Sequence, residues 1–114
     1  MNFLIQDNSS IHETAWRGYS RSLELLCRLK GKLYLKNKQG HTALHLAAQK
    51  GHNQCTRILL RTGCKPNIKN NFGDTPLHSA SRYGHVGVVR ILISAFANVN
   101  ELNKVSFVDL GSDL

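Results

Sequence analysis

Gly40–His52 reads GHTALHLAAQKGH and Gly73–His85 reads GDTPLHSASRYGH, and the two stretches register without a gap at a step of 33 residues. The step recurs well beyond them. His12, His45 and His78 keep it, as do Gly18, Gly51 and Gly84, Leu26, Leu59 and Leu92, and Asn37, Asn70 and Asn103. Coincidence at so many independent places is not credible, so the chain is an array of one repeated supersecondary unit.

Within a unit the residues dictate a short helix pair. Asn37-Lys38-Gln39-Gly40 and Asn70-Asn71-Phe72-Gly73 are polar turns, with glycine where positive φ is needed. Thr42 and Thr75 stand where a helix N-cap belongs, and Pro76 follows at the first helical position, where its missing N–H costs nothing. Leu44, Ala47 and Ala48 then give a first helix with a small-residue face, which Gly51 (Gly84 in the next unit) stops. A second helix carries Ile58, Leu59 and Leu60, or Val88, Val89, Ile91 and Leu92. Neither helix is long enough to stand alone in water, so stability must come from stacking on the adjacent unit.

These motifs resemble ankyrin repeats, whose mark is a 33-residue period with T-P-L-H-x-A. The resemblance implies an all-α solenoid of stacked helix-turn-helix units joined by β-turn or hairpin-like loops. It divides the chain into a degenerate first repeat (residues 4–36), a second (37–69), a third (70–102) and an irregular tail (103–114) that reads as a truncated further repeat. In the first repeat Ile11-His12 stands for Leu-His, Gly18 and Leu25-Leu26 are kept, Asp7 replaces the turn glycine and Ser9 replaces the capping threonine. In the tail only Leu110 fits, which leaves Val99, Leu102, Val105 and Phe107 near an uncapped edge and predicts self-association through the ends or marginal stability. More narrowly, KNNFGDTPLH and LISAF resemble the ankyrin region of diversin-like proteins, a group of Wnt-pathway scaffolds.

Composition excludes several function classes. With 41% hydrophobic and 19% charged residues the chain is no charge-dominated disordered tail. No apolar run approaches the roughly 20 residues of a membrane span, and the first residues lack the pattern of a secretory leader. Three cysteines without a CxxC pair predict reduced thiols, packed as small hydrophobes, and a cytosolic or nuclear setting. His41-x₃-His45 is the only pair at zinc-like spacing and no cysteine pair matches it, so the periodic histidines read as structural and no metal or cofactor is expected. The resemblance implies that the periodic histidine hydrogen-bonds within and between the loops. Nucleophile-elbow, phosphate-loop and HExxH motifs are missing, and Asp74 and Glu24 read as solvated charges, so no enzyme is expected.

What remains is a binding surface. The resemblance implies a concave face built from the turn tips and the exposed side of each first helix. Carried over position by position, that face takes Asn8, Trp16 and Arg17 from the first unit, and Lys38, Gln39, His41, Gln49 and Lys50 from the second. The third supplies Asn71, Phe72, Asp74, Arg82 and Tyr83. Trp16 beside Arg17 and Tyr83 beside Arg82 are the expected anchors. The net charge of +8 points to an acidic segment of another protein. The alternative is a nucleic acid or another anionic surface. Against it, Arg17, Arg21, Arg28, Lys50, Arg57, Arg61, Arg82 and Arg90 are distributed over all units and both helices and form no phosphate track.

Overall fold

The computed structural model describes residues 8–30 and 33–95. Six helices follow in order: α1 (Ser10–Arg17), α2 (Ser20–Lys30), α3 (Ala43–Lys50), α4 (Asn53–Arg61), α5 (Pro76–Arg82) and α6 (Val86–Ser94). No strand occurs among the described residues. Helices α1, α3 and α5 pack side by side in one row, α2, α4 and α6 form a second, and each unit joins one helix from each row. The core lies between the rows. Leu23, Leu44, Leu59, Leu77 and Leu92 are its largest apolar members, and Ala15, Ala47, Ala48 and Ala80, also buried, let the first helices approach closely.

Each first helix starts on the expected cap, and the histidine three residues into it completes a reciprocal box. The Thr42 N–H donates to His45 Nδ1 at 3.1 Å, and the His45 N–H points back at Thr42 Oγ1 at 3.4 Å. Ser9 with His12 and Thr75 with His78 repeat the arrangement. The far side of the ring leaves the unit. His12 Nε2 donates to the His41 carbonyl at 2.8 Å, and His45 Nε2 donates to the Asp74 carbonyl at 2.9 Å. A backbone N–H can only donate and a carbonyl can only accept, so these partners fix His45 as the neutral tautomer protonated at Nε2. Burial holds its pKa down to about 4, with the Asp74 carbonyl opposing the shift.

A second set of imidazoles ties the other end of the unit. His52 Nε2 donates to the Trp16 carbonyl and His85 Nε2 to the Gln49 carbonyl, both at 2.9 Å. These rings lie directly over Gly18 and Gly51, where an added Cβ would come within 2.7 and 2.5 Å of the imidazole. Both glycines also hold positive φ, 77° and 76°, so two separate constraints exclude a side chain there. In the third unit α5 ends one residue earlier than expected, with Tyr83 at the C-cap and left-handed Gly84 just after it.

The loops are hairpin-like but organised from inside. Asn37 Oδ1 accepts from the Gln39 and His41 N–H groups at 3.0 and 2.9 Å, and Asn70 Oδ1 accepts from Phe72 and Asp74 at 2.9 and 3.0 Å. Successive loops are stapled together where the Asn71 N–H donates to the Gln39 carbonyl and Asn71 Nδ2 to that of Lys38, each at 2.9 Å. Expected as part of a polar turn, Asn37 and Asn70 are in fact buried.

One expectation for the first unit fails. Leu25, aligned with a core position, is 57% exposed, and Leu29 is exposed with it. The equivalent Ile58 is buried on α4, beside Glu24 and Arg28 of α2. Among the described residues no unit precedes α2, so Leu25 lacks the neighbour that covers Ile58. Val99, Leu102, Val105 and Phe107 lie outside the described residues.

His45→Ala should cost roughly 2–4 kcal/mol, because a buried N–H and a carbonyl lose their shared partner and a void remains. Leu59→Ala should cost roughly 2–5 kcal/mol through the void alone. Urea unfolding followed by circular dichroism measures both, and a His45 variant as stable as wild type would remove the relay from the stability account. The pH dependence follows from the lowered pKa of His45. The unfolded state binds the extra proton first, so this stability is complete above about pH 6.5 and declines as the pH falls towards 4, by up to about 1.4 kcal/mol per unit. Urea midpoints should therefore stay level from pH 7.5 to about 6.5 and fall from there to 4.5, less steeply in His45→Ala.

Candidate functional site

The first helices end, and the loops fold over, around a common hollow. Nine of the residues assigned to the concave face line a single cavity of about 480 Å³: Asn8, Trp16, Gln39, His41, Gln49, Phe72, Asp74, Arg82 and Tyr83. Lys50 lies in an adjoining cavity of about 300 Å³ that shares Trp16, Gln49 and Tyr83 with the first. The two spaces form one trough crossing three units. Arg17 and Lys38 are exposed and line neither cavity. Asn71 is committed to stapling the loops.

Four lining residues were not in the sequence-derived set. Leu46 and Ser79 hold equivalent places on α3 and α5, and both are buried. The 33-residue step that aligns them was the available signal, but a buried leucine and serine read as core. Asn37 and Asn70 were noted for their periodicity and assigned only to the turn.

Charge is distributed differently from expectation. Asp74 is not a solvated acid. Its side chain is 15% exposed, and Arg82 grips it through both terminal nitrogens at 2.9 and 3.2 Å. Arg82 holds its carboxyl below the ordinary range, with burial opposing. The carboxylate and guanidinium facing the larger cavity thus neutralise one another, and Lys50 stands apart in the adjoining one. Glu24 is half-buried and shared by Arg28 and Arg61 at 3.6 and 4.0 Å.

The expected aromatic–arginine pairs are also rearranged. Lys50 Nζ sits 4.8 Å from the centre of the Trp16 ring, so a lysine from the next unit covers the indole. Arg17 turns to Glu13 at 3.2 Å, one helical turn back. Tyr83 and Phe72 stay largely open, at 55% and 69% exposure. His41 bridges the two loops. Its Nδ1 accepts from Asn70 Nδ2 at 3.2 Å, and its ring leans towards Phe72 with centroids 6.4 Å apart. Burial, reinforced by nearby His12, holds its pKa below the usual value, while Asp74 opposes the shift.

This chemistry suits binding. Among the described residues Asp74 is the one carboxylate lining the larger cavity, and it is tied to a guanidinium. Among the described residues no three His, Cys, Asp or Glu side chains converge as a metal site requires. The cysteines are buried, and burial raises the thiol pKa of Cys55 to about 11 and of Cys64 to about 12. Cys27 is raised too, chiefly by burial, with Thr62 opposing.

A family model described as ankyrin repeats in three copies matches residues 11–103. No curated protein matches the chain. None of the described helices is long and apolar enough to cross a membrane.

The buried thiols predict slow chemistry in the folded state, because the thiolate is the reactive form. With a chromogenic disulfide reagent at pH 8, the three cysteines should react only at the rate of unfolding, and immediately in denaturant. Rapid labelling of Cys55 or Cys64 in the native protein would contradict their assignment to the core.

Proposed function

The chain belongs to the ankyrin-repeat family, and on that premise we propose that it is a non-enzymatic protein-interaction module that holds a partner in the trough across its three units. The observation that carries this reading is the contrast between two kinds of position. Capping residues, bridging histidines and core leucines repeat from unit to unit. The trough instead takes Trp16, Gln49 and Arg82 at one equivalent place, and Lys50 and Tyr83 at the next, where the first unit carries Arg17. Stability needs the first set to stay alike. The second set is free to differ, which is where recognition can be written.

The partner proposed is an acidic segment of another protein. The net charge of +8 supports it, as do Lys50, which lines the trough, and exposed Lys38 on the second loop. Binding to nucleic acid fits less well, because the remaining arginines are spread over the second helices and Glu24 offsets two of them. Self-association through the ends is a further proposal, supported on the described side by exposed Leu25 and Leu29. The reduced, buried cysteines support a cytosolic or nuclear setting. A Wnt-type signalling role rests on the narrower resemblance to diversin-like proteins alone.

Affinity purification with the intact chain, followed by titration of the captured partner, tests the reading. Tyr83→Ala should cost on the order of 1–2 kcal/mol of affinity. Added salt should slow association without abolishing the complex, because exposed charges are screened while aromatic contacts are not. Melting should be unaffected, since Tyr83 is exposed. A partner bound as tightly by the Tyr83 and Gln49 alanine variants as by wild type would remove the trough from the interface. Steep, salt-sensitive binding to unrelated duplex DNA would favour the nucleic-acid reading.

A further inference from the structure

The two open aromatics of the trough are not needed by the fold. Gln39 occupies the place of Phe72 in the preceding unit and makes the same turn, its N–H meeting Asn37 Oδ1 at 3.0 Å where that of Phe72 meets Asn70 Oδ1 at 2.9 Å. Lys50 and Arg17 occupy the place of Tyr83. A large ring left 69% exposed on a loop tip that a glutamine serves equally well has no structural reason to be there. Together Phe72, Tyr83 and Trp16 wall the 480 Å³ cavity, with Leu46 buried at its base.

Electrostatics decides what enters. The carboxylate and guanidinium at the cavity are already paired, so an incoming acid would shed its water without gaining an unopposed cation there. An apolar side chain loses nothing and buries aromatic surface. Exposed Lys50, in the adjoining cavity, and exposed Lys38 lie outside the larger one, where a carboxylate keeps part of its hydration. Along an extended segment successive side chains alternate in direction, so one residue can point inward while its neighbours point outward.

From these observations, and resting on the trough being the partner-binding face, we infer that the larger cavity seats one aromatic or branched aliphatic side chain of an extended segment whose neighbouring residues are acidic. Phe72 and Tyr83 are the specificity-determining walls of that seat. Acidity alone does not select the partner; the apolar anchor does.

The test uses a random peptide library displayed on phage and selected on the intact chain. Selected peptides are then titrated in solution against the fluorescence of Trp16, the chain's single tryptophan. The expected winners carry Phe, Tyr, Trp, Leu or Ile between Asp or Glu residues. Changing that anchor to alanine should weaken binding about tenfold or more, as for an interface hot spot. Phe72→Gln should weaken it by a similar factor while leaving the melting curve unchanged, since Gln39 already supports the same turn. Tyr83→Lys, which copies Lys50, gives a second variant should the first perturb the loop. Acidic peptides that tolerate anchor removal and Phe72→Gln, yet fail on Gln49→Ala, would overturn the seat and keep the trough. Peptides indifferent to every trough variant would overturn both. Failure to enrich any sequence would overturn the seat for a linear segment.

Discussion

The neutral imidazole of His45 is the joint on which the array depends. One side of the ring answers the N–H of its own helix cap and the other reaches the carbonyl of the next loop, and both bonds hold only while Nδ1 is bare and Nε2 is protonated. A side chain with one kind of hydrogen-bonding atom could not do this. The glutamate usual in a capping box accepts but cannot donate onward, so it would close the box and leave the neighbouring loop unheld. Burial keeps the ring neutral, and neutrality preserves the bonds that keep it buried.

From that joint the remaining architecture follows. Fixing each loop on the preceding helix sets the distance between units, which lets the alanines of α1, α3 and α5 meet closely and the leucines of the second row fill the space behind. His52 and His85 hold the opposite ends of the first helices to the same spacing, and the glycines beneath those rings leave room for them. With both ends tied, the solvent-facing side of the first helices and the loop tips become a rigid trough. Its side chains can then vary without disturbing the frame.

The arrangement separates two jobs that usually compete. Sites for recognition tend to carry unsatisfied or strained groups that reduce stability. Here the polar atoms nearest the trough are largely spent on one another: Asp74 on Arg82, Asn70 on His41 and Asn37 on its own loop. The larger cavity is therefore aromatic and amide in character, with Lys50 set apart in the adjoining one.

Much of this was legible in the residues. The period, caps, helix stops and core leucines could be read because each recurs at equivalent places, and recurrence reports an environment shared by every unit. Concave-face positions could be listed by the same register. Their state could not, because variable positions by their nature escape a periodic signal. Which partner Asp74 takes, and whether Lys50 shields Trp16 or reaches solvent, depends on side chains eight and thirty-four residues away meeting across a helix end or between units. The burial of Asn37 and Asn70 was hidden too, since an asparagine in a turn looks the same whether its amide faces water or organises a loop from within. Leu25 shows the converse. It matches a core position in every local respect, yet burial is a property of the neighbour that covers a side chain, and only the assembled stack decides whether one stands there.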